Sequence, residues 1–303
     1  MDFFDVFMKM LVILLTMAAG AVAHRLGYLG GDVDQKLSGL LLNITMPMLI
    51  LSSVINGDNR ATAGEILSLV GISLLLYAVA FAFALVVPAF LKGDRAQKGA
   101  WRYALAFSNV SFIGFPVAVA LYGQGALFYA AILILPMNLL SYTLGPLMLA
   151  GRGRFRWQQL VSPCVVSALI ALALAFTGWQ PPALVGQLTA FVGEVTIPFS
   201  LLIIGSLLAG LPAGEILNSP KAWLLTVFRL LVMPITFSLL LQPLHLDPVI
   251  HGVAVTQIGM PVAINGTLMS MEYGGDTEGL ARVTFLTTVA SMVTIPLIAA
   301  LFL

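Results

Sequence analysis

Residues Ile113–Ala118 read IGFPVA, and residues Ile258–Ala263 read IGMPVA. Each hexapeptide lies in the middle of a long apolar run. In a helix interior, proline removes a backbone donor and clashes with the preceding turn, at a cost of about 3 kcal/mol or more. A chain that accepts this twice, in near-identical settings 145 residues apart, has a common reason for both.

Composition identifies the solvent. Of 303 residues, 60% are hydrophobic and 9% charged, with a mean hydropathy of +1.02; a soluble domain carries about 25% charged residues. Apolar runs of about 20 residues, long enough to cross a ~30 Å hydrocarbon core, recur along the whole length. These features describe an all-α polytopic membrane protein, whose helices satisfy the backbone groups that lipid cannot. The net charge of +1 leaves no nucleic-acid footprint, and the lone Cys164 permits no internal disulfide. Nothing in the pattern suggests a metal cluster or an enzyme cofactor.

Ten spans can be drawn, at roughly 5–24, 36–56, 65–91, 101–123, 125–149, 159–178, 183–210, 220–242, 249–272 and 280–302. The AVA at Ala21–Ala23 resembles a signal-peptidase site. A signal peptide needs a positive n-region, however, and here Asp2 and Asp5 outweigh Lys9, so the segment reads as a helix. With the N-terminus outside, the cytoplasmic connections hold Arg25, Lys36, Lys92, Arg95, Lys98, Arg102, Arg152, Arg154, Arg156, Lys221 and Arg282. Only Lys9 and Arg60 fall outside, and eleven against two puts both termini outside the cytoplasm. Trp101, Trp157, Trp179 and Trp223 all fall at span ends, as an interfacial belt predicts.

The repetition extends well beyond the hexapeptides. Asn43-Ile-Thr-Met-Pro47 matches Glu194-Val-Thr-Ile-Pro198, Ser141–Pro146 resembles Ser291–Pro296, and Tyr122-Gly123 closes span 4 much as Tyr273-Gly274 closes span 9. These offsets are 151, 150 and 151 residues, so residues 1–150 and 151–303 read as two copies of one unit. Five spans per copy is an odd number, so the second copy enters the membrane from the opposite side. An inverted 5 + 5 repeat is the layout that builds secondary transporters around a midplane site.

Within this layout the prolines acquire a purpose. Pro116 and Pro261 each follow a glycine by two residues (Gly114, Gly259), and such a pair lets a helix break into two half-helices. Breaks in spans 4 and 9 would meet near the bilayer centre. There, half-helix N-termini can receive an anion, and unwound carbonyls can hold a cation. Simple kinking of packed helices is the competing reading for either proline alone. Polar neighbours sharpen the case: Ser108, Asn109 and Ser111 before one proline, Thr256, Gln257 and Asn265 around the other, and Asn138 in span 5. Amides bind a carboxylate without a buried charge, which puts Asn109, Gln257 and Asn265 first. Thr287, Thr288 and Ser291 suit helix packing or back-bonding to carbonyls.

Ionisable groups inside the spans are few. Arg229 in span 8 is either a counter-charge for an anion or an anchor paired with carbonyls. Glu194 in span 7 is either a proton carrier or a residue at a watery cavity edge; Asn43 is its counterpart in span 2.

The motif Asn109–Pro116 (N-x-x-x-x-G-x-P), the N-I-T-M-P of span 2, the M-P-V-A of span 9 with its following E-Y-G-G-D, and the closing T-I-P together resemble the auxin efflux carrier family. Its bacterial members include malonate transporters of the inner (plasma) membrane. The resemblance implies ten helices in two inverted halves, with spans 4 and 9 crossing as broken helices. It further implies a scaffold of spans 1, 2, 6 and 7 and a transport domain of spans 3–5 and 8–10 that moves in an elevator-like way. In the plant carriers, asparagines near the crossing contact the substrate carboxylate; Asn109 matches that position directly, and Asn265 matches it at one remove because it follows its proline. The chain departs from the plant members in its short span 5–6 connection, GRGRFRWQQL, and in a span 3 (Ile66–Leu91) without any acidic residue. The expected function is secondary transport of a small organic anion, a mono- or dicarboxylate such as malonate, coupled to H⁺, to Na⁺ or to membrane potential alone. Exposed scaffold helices leave room for a homodimer. A cation/proton antiporter of related fold is the same-class alternative, but it would need a buried acid near the crossing, and spans 4 and 9 have none before Glu272. A membrane-embedded sensor is the different-class alternative.

Overall fold

The computed structural model describes residues 3–56, 63–150, 162–210, 218–273 and 275–302. The expectations placed on Trp157 and on Arg152, Arg154 and Arg156 lie outside the described residues. What is described is helical, with no strand among the described residues. Among the described residues, five helices are long and apolar enough to cross a membrane, at Gly31–Ile55, Gly64–Phe90, Ala183–Ala209, Pro220–Leu244 and Thr277–Ala299; shorter apolar helices accompany them.

In chain order the helices are α1 (Phe3–Arg25), α2 (Gly31–Leu40), α3 (Met46–Ile55), α4 (Ala63–Phe90), α5 (Arg95–Ala106), α6 (Phe115–Tyr122), α7 (Ala126–Leu133) and α8 (Leu135–Ala150). They continue as α9 (Pro163–Thr177), α10 (Ala183–Gly193), α11 (Thr196–Ala209), α12 (Pro220–Val227), α13 (Met233–Leu241), α14 (Pro248–Ile258), α15 (Asn265–Tyr273) and α16 (Thr277–Phe302). Several starts are written locally. Ser162, Ser219 and Asp247 cap α9, α12 and α14, each followed by a proline whose missing N–H would have been unpaired anyway. Asp94 opens α5 with a capping box, accepting from the Gln97 N–H at 2.8 Å while the Gln97 side chain accepts from the Asp94 N–H.

Proline is accommodated inside the membrane by one recurring device. Short π-helical segments at Leu41–Thr45, Val110–Gly114 and Phe228–Val232 run directly into Met46-Pro47, Phe115-Pro116 and Met233-Pro234. A proline ring clashes with the carbonyl four residues earlier. In each case that carbonyl (Asn43, Phe112, Leu230) belongs to the wider π turn, which displaces it and lets the helix run on.

This device corrects the expected break at Pro116. Pro116 lies in the regular first turn of α6, and the chain instead leaves the helix nine residues earlier, with Phe107 extended at φ −118°, ψ 122°. The second break runs from Gly259 to Ile264 and does contain Pro261. The matching hexapeptides therefore occupy different structural positions.

The contacts divide the chain into two compact units. The first comprises Met1–Gly71, Ser111–Leu135 and Val161–Leu211. Here α1 packs along α11 at backbone distance: a Cβ on Gly20 would lie 2.1 Å from the Leu202 carbonyl oxygen, and one on Gly205 would lie 1.8 Å from that of Met17. Such small-residue faces bring transmembrane helices together where the hydrophobic effect cannot. α3 packs on α9 and α10, and Thr196 Oγ1 donates to Thr45 Oγ1 at 2.8 Å in the buried centre. The second unit comprises Ile72–Val110, Pro136–Leu160 and Pro212–Leu303, in which α16 packs on α5, α12 and α15.

Candidate crossover site in the second unit

Where α5 and α14 end, the two breaks meet as a single antiparallel bridge centred on Ser108 and Val262. The Asn109 N–H donates to the Pro261 carbonyl at 2.7 Å, and the Ala263 N–H donates to that of Phe107 at 3.1 Å. Thr287 Oγ1, from α16, accepts the Val262 N–H at 3.1 Å while itself donating to Val283 O. Three N–H groups of the breaks, those of Asn109, Val262 and Ala263, are thus consumed internally. An extended dipeptide buried in apolar surroundings must pair its backbone groups, and each break here pairs the other.

Arg229 supplies the charge. It is fully buried (0% exposed), on the π segment that precedes Pro234. Its Nε donates to the Met260 carbonyl at 2.9 Å, its Nη1 to the Leu105 carbonyl at 2.6 Å, and its Nη2 to Ser108 Oγ. Leu105 belongs to the last turn of α5, and Met260 follows the end of α14. One guanidinium therefore caps the negative ends of two half-helices, where a cation is most favoured. Its planar fork reaches three acceptors on two chain segments, which an ammonium could not do in the same geometry.

Gln257 sits in the last turn of α14, 2% exposed, and neither atom of its amide has a hydrogen-bond partner among the described residues. Leaving such a group buried and unsatisfied costs about 1–3 kcal/mol. At the end of the same helix, Thr256, Gly259, Met260, Ile295 and Ile298 surround a void of ≈ 10 Å³ that Gln257 does not line. That is roughly the space of one water molecule, too little for a dicarboxylate. Gly259 keeps the region tight, since a Cβ there would come within 3.3 Å of the Pro234 ring.

The remaining candidates fall as follows. Ser108 and Asn109 are buried at the bridge, and Asn265, half-buried, opens α15 just beyond it. Ser108, Asn109, Gln257, Gly259, Pro261 and Asn265 thus share the second unit with Arg229. Ser111, Gly114 and Pro116 belong to the first unit, as do Asn43 and Glu194. Asn43 is exposed and donates to Gly39 O at 2.8 Å; Glu194 is exposed at the end of α10. The side chain of Asn138 lies outside the described residues. Thr288 and Ser291 bond back to carbonyls of their own helix. Thr287, expected only to pack or back-bond, does bond back to Val283 and also accepts from the Val262 N–H; sequence reasoning overlooked a buried chain in the first unit, in which Ser206 Oγ donates to Asp34 Oδ2 at 2.6 Å and lies 3.0 Å from His24 Nδ1. No sequence spacing signals that chain, because its members come from α1, α2 and α11.

The sequence is similar to those of known proteins. The chain is 23% identical over 279 residues to a Rhizobium meliloti protein named "Putative malonate transporter", covering 88% of this chain and 86% of that one. It is 23% identical over 292 residues to an uncharacterized transporter of Methanothermobacter thermautotrophicus, covering 95% of each. A third relative, an uncharacterized transporter of Methanocaldococcus jannaschii, is 22% identical over 305 residues, covering 95% of this chain. The family model described as membrane transport protein matches residues 5–156 and 153–299, and the chain belongs to that family, the auxin efflux carriers.

Proposed function

We propose that this protein is a secondary transporter of a small organic anion, a mono- or dicarboxylate such as malonate, which binds at the bridge between the two breaks. One observation carries the reading: Gln257 buries a complete amide without a partner among the described residues, three residues before Met260, whose carbonyl the Arg229 guanidinium holds. A carboxylate there would accept from the Gln257 NH₂, with the Asn265 amide and the first turn of α15 at the far end of the same break. The name carried by the Rhizobium meliloti relative supports a dicarboxylate. Because the void beside the bridge has room only for water, loading requires the surroundings to open, in keeping with alternating access by an elevator-like movement. The layout proposed is ten spans in two inverted halves, residues 1–150 and 151–303. Thr45 and Thr196, counterparts in the sequence pattern, bond to each other, as residues on a pseudo-two-fold axis do. The scaffold is spans 1, 2, 6 and 7, the mobile part spans 3–5 and 8–10, and both termini face away from the cytoplasm of a bacterial inner membrane.

Arg229 also bears on coupling. The break carbonyls that could hold Na⁺ already accept from a guanidinium, which favours H⁺ or membrane potential over Na⁺. The test is uptake of radiolabelled malonate and other short carboxylates into proteoliposomes, with and without Na⁺. Saturable uptake that survives Na⁺ removal and drops at least about tenfold in Gln257→Leu is the expected result; no saturable uptake of any carboxylate would overturn the reading.

A further inference from the structure

We infer that the second unit carries a binding site for an anionic phospholipid between α4 and α12, independent of the transported substrate. A groove of ≈ 470 Å³ runs there, walled by Phe83, Val86, Val87, Phe90, Leu224 and Phe228. The volume and uniformly apolar lining suit a single acyl chain. Phe83 and Phe228 pack edge-tilted at 6.2 Å between ring centroids and join its two walls, while Phe90 at its end is 85% exposed.

What distinguishes this groove from ordinary lipid-facing surface is its mouth. Leu91 lines the groove and Lys92 follows it; Leu224 lines the opposite wall, one turn after Lys221. Lys221 Nζ donates to the Lys92 carbonyl at 2.6 Å and stands 5.3 Å from the centroid of the buried Trp101 ring. Trp101, expected to sit in the interfacial belt, is therefore a platform that holds a lysine at the groove mouth. One of three ammonium donors is used, leaving two for a ligand. Arg95 and Lys98 lie in the first turn of α5 just beyond. Asp94, the acidic residue of this stretch, spends its carboxylate on the Gln97 N–H. Among the described residues, Lys92, Arg95, Lys98 and Lys221 have no acidic side chain within ion-pair distance; Arg282 pairs with Glu278 elsewhere. Four unpaired cations beside a single-chain groove match a phosphodiester headgroup with its acyl chain in the groove, as basic pockets between transmembrane helices do.

The purified full-length chain would be examined by native mass spectrometry after equilibration with equal amounts of phosphatidylglycerol and phosphatidylcholine. Each cation near a headgroup is worth about 1 kcal/mol, or about fivefold in affinity. The expected result is retention of phosphatidylglycerol at least about fivefold above phosphatidylcholine. That preference falls in Lys221→Gln, and separately in Lys92→Gln/Lys98→Gln, which touches no hydrogen bond described for those side chains. Ala82 also lines the groove; Ala82→Phe, which fills it, reduces retention of both lipids, and millimolar inorganic phosphate displaces neither. Equal retention of the two lipids, a preference unchanged in both charge variants, displacement by phosphate alone, or a second copy of the chain released by Ala82→Phe would each overturn the proposal.

Discussion

At the residue scale, two buried polar side chains have opposite relations to the fold. Arg229 is satisfied by three acceptors, whereas Gln257 is satisfied by none among the described residues. Their substitutions should diverge accordingly. Arg229→Met orphans two carbonyls at buried helix ends and is expected to destabilise by roughly 2–6 kcal/mol, about 1–3 for each, read as lost monodisperse protein in size exclusion. Arg229→Lys should rescue only part of this, because an ammonium lacks the planar fork. Gln257→Leu removes an unsatisfied amide and should raise the midpoint of thermal unfolding, or leave it unchanged, while uptake is lost. A fall in both stability and uptake would make Gln257 a packing residue. In the first unit, Asp34 is 3% exposed and accepts from Gly30 N–H and Ser206 Oγ–H. The single hydroxyl proton of Ser206 is thereby committed, so His24 Nδ1 is the donor to Ser206. Asp34→Asn turns one acceptor into a donor facing a donor and should cost about 1–3 kcal/mol. The exposed Asp32→Asn serves as the control, and thermal unfolding in detergent measures both.

At the element scale, two solutions to proline stand side by side. The π turns ahead of Pro47, Pro116 and Pro234 let helices continue, whereas the segment around Pro261 leaves the helix altogether. The difference lies in partners. Gly259–Ile264 finds its hydrogen bonds in Phe107, Asn109 and Thr287, so unwinding there leaves few groups orphaned. Helix pairing in the first unit depends on glycine in the same concrete way. Gly205→Leu forces a side chain into the Met17 carbonyl and should destabilise by about 3 kcal/mol or prevent assembly. Gly71→Leu, with nothing within 4 Å of its Cβ, should be tolerated. Expression and melting of the two variants side by side would decide; equal behaviour would remove the close-packing explanation.

At the scale of the whole molecule, membership in a transporter family and a buried polar bridge describe a machine whose central contacts are few. The bridge between the breaks is one residue pair wide, flanked by two backbone hydrogen bonds. Counterflow in proteoliposomes, with unlabelled malonate inside driving uptake of label, is expected to proceed without any ion gradient. A ligand-binding sensor would show binding and no counterflow.

Much of this protein is legible in the chain itself. Hydropathy and length announce a membrane protein because lipid forbids unpaired backbone, which leaves only long apolar helices as an all-α solution. The family is legible from motifs spread over both halves. Short-range chemistry also decided many helix starts, as at Asp94, Ser162, Ser219 and Asp247. Only the tertiary structure decided where the helices break, because IGFPVA and IGMPVA are nearly the same sequence and meet different partners. One runs behind a π turn into α6, and the other unwinds against Phe107 and Asn109. It also decided that Arg229 faces carbonyls and that Asp34, Ser206 and His24 form one chain of hydrogen bonds. Each of these depends on residues more than 30 positions apart, and a local sequence pattern carries no record of which distant backbone group will be left unpaired.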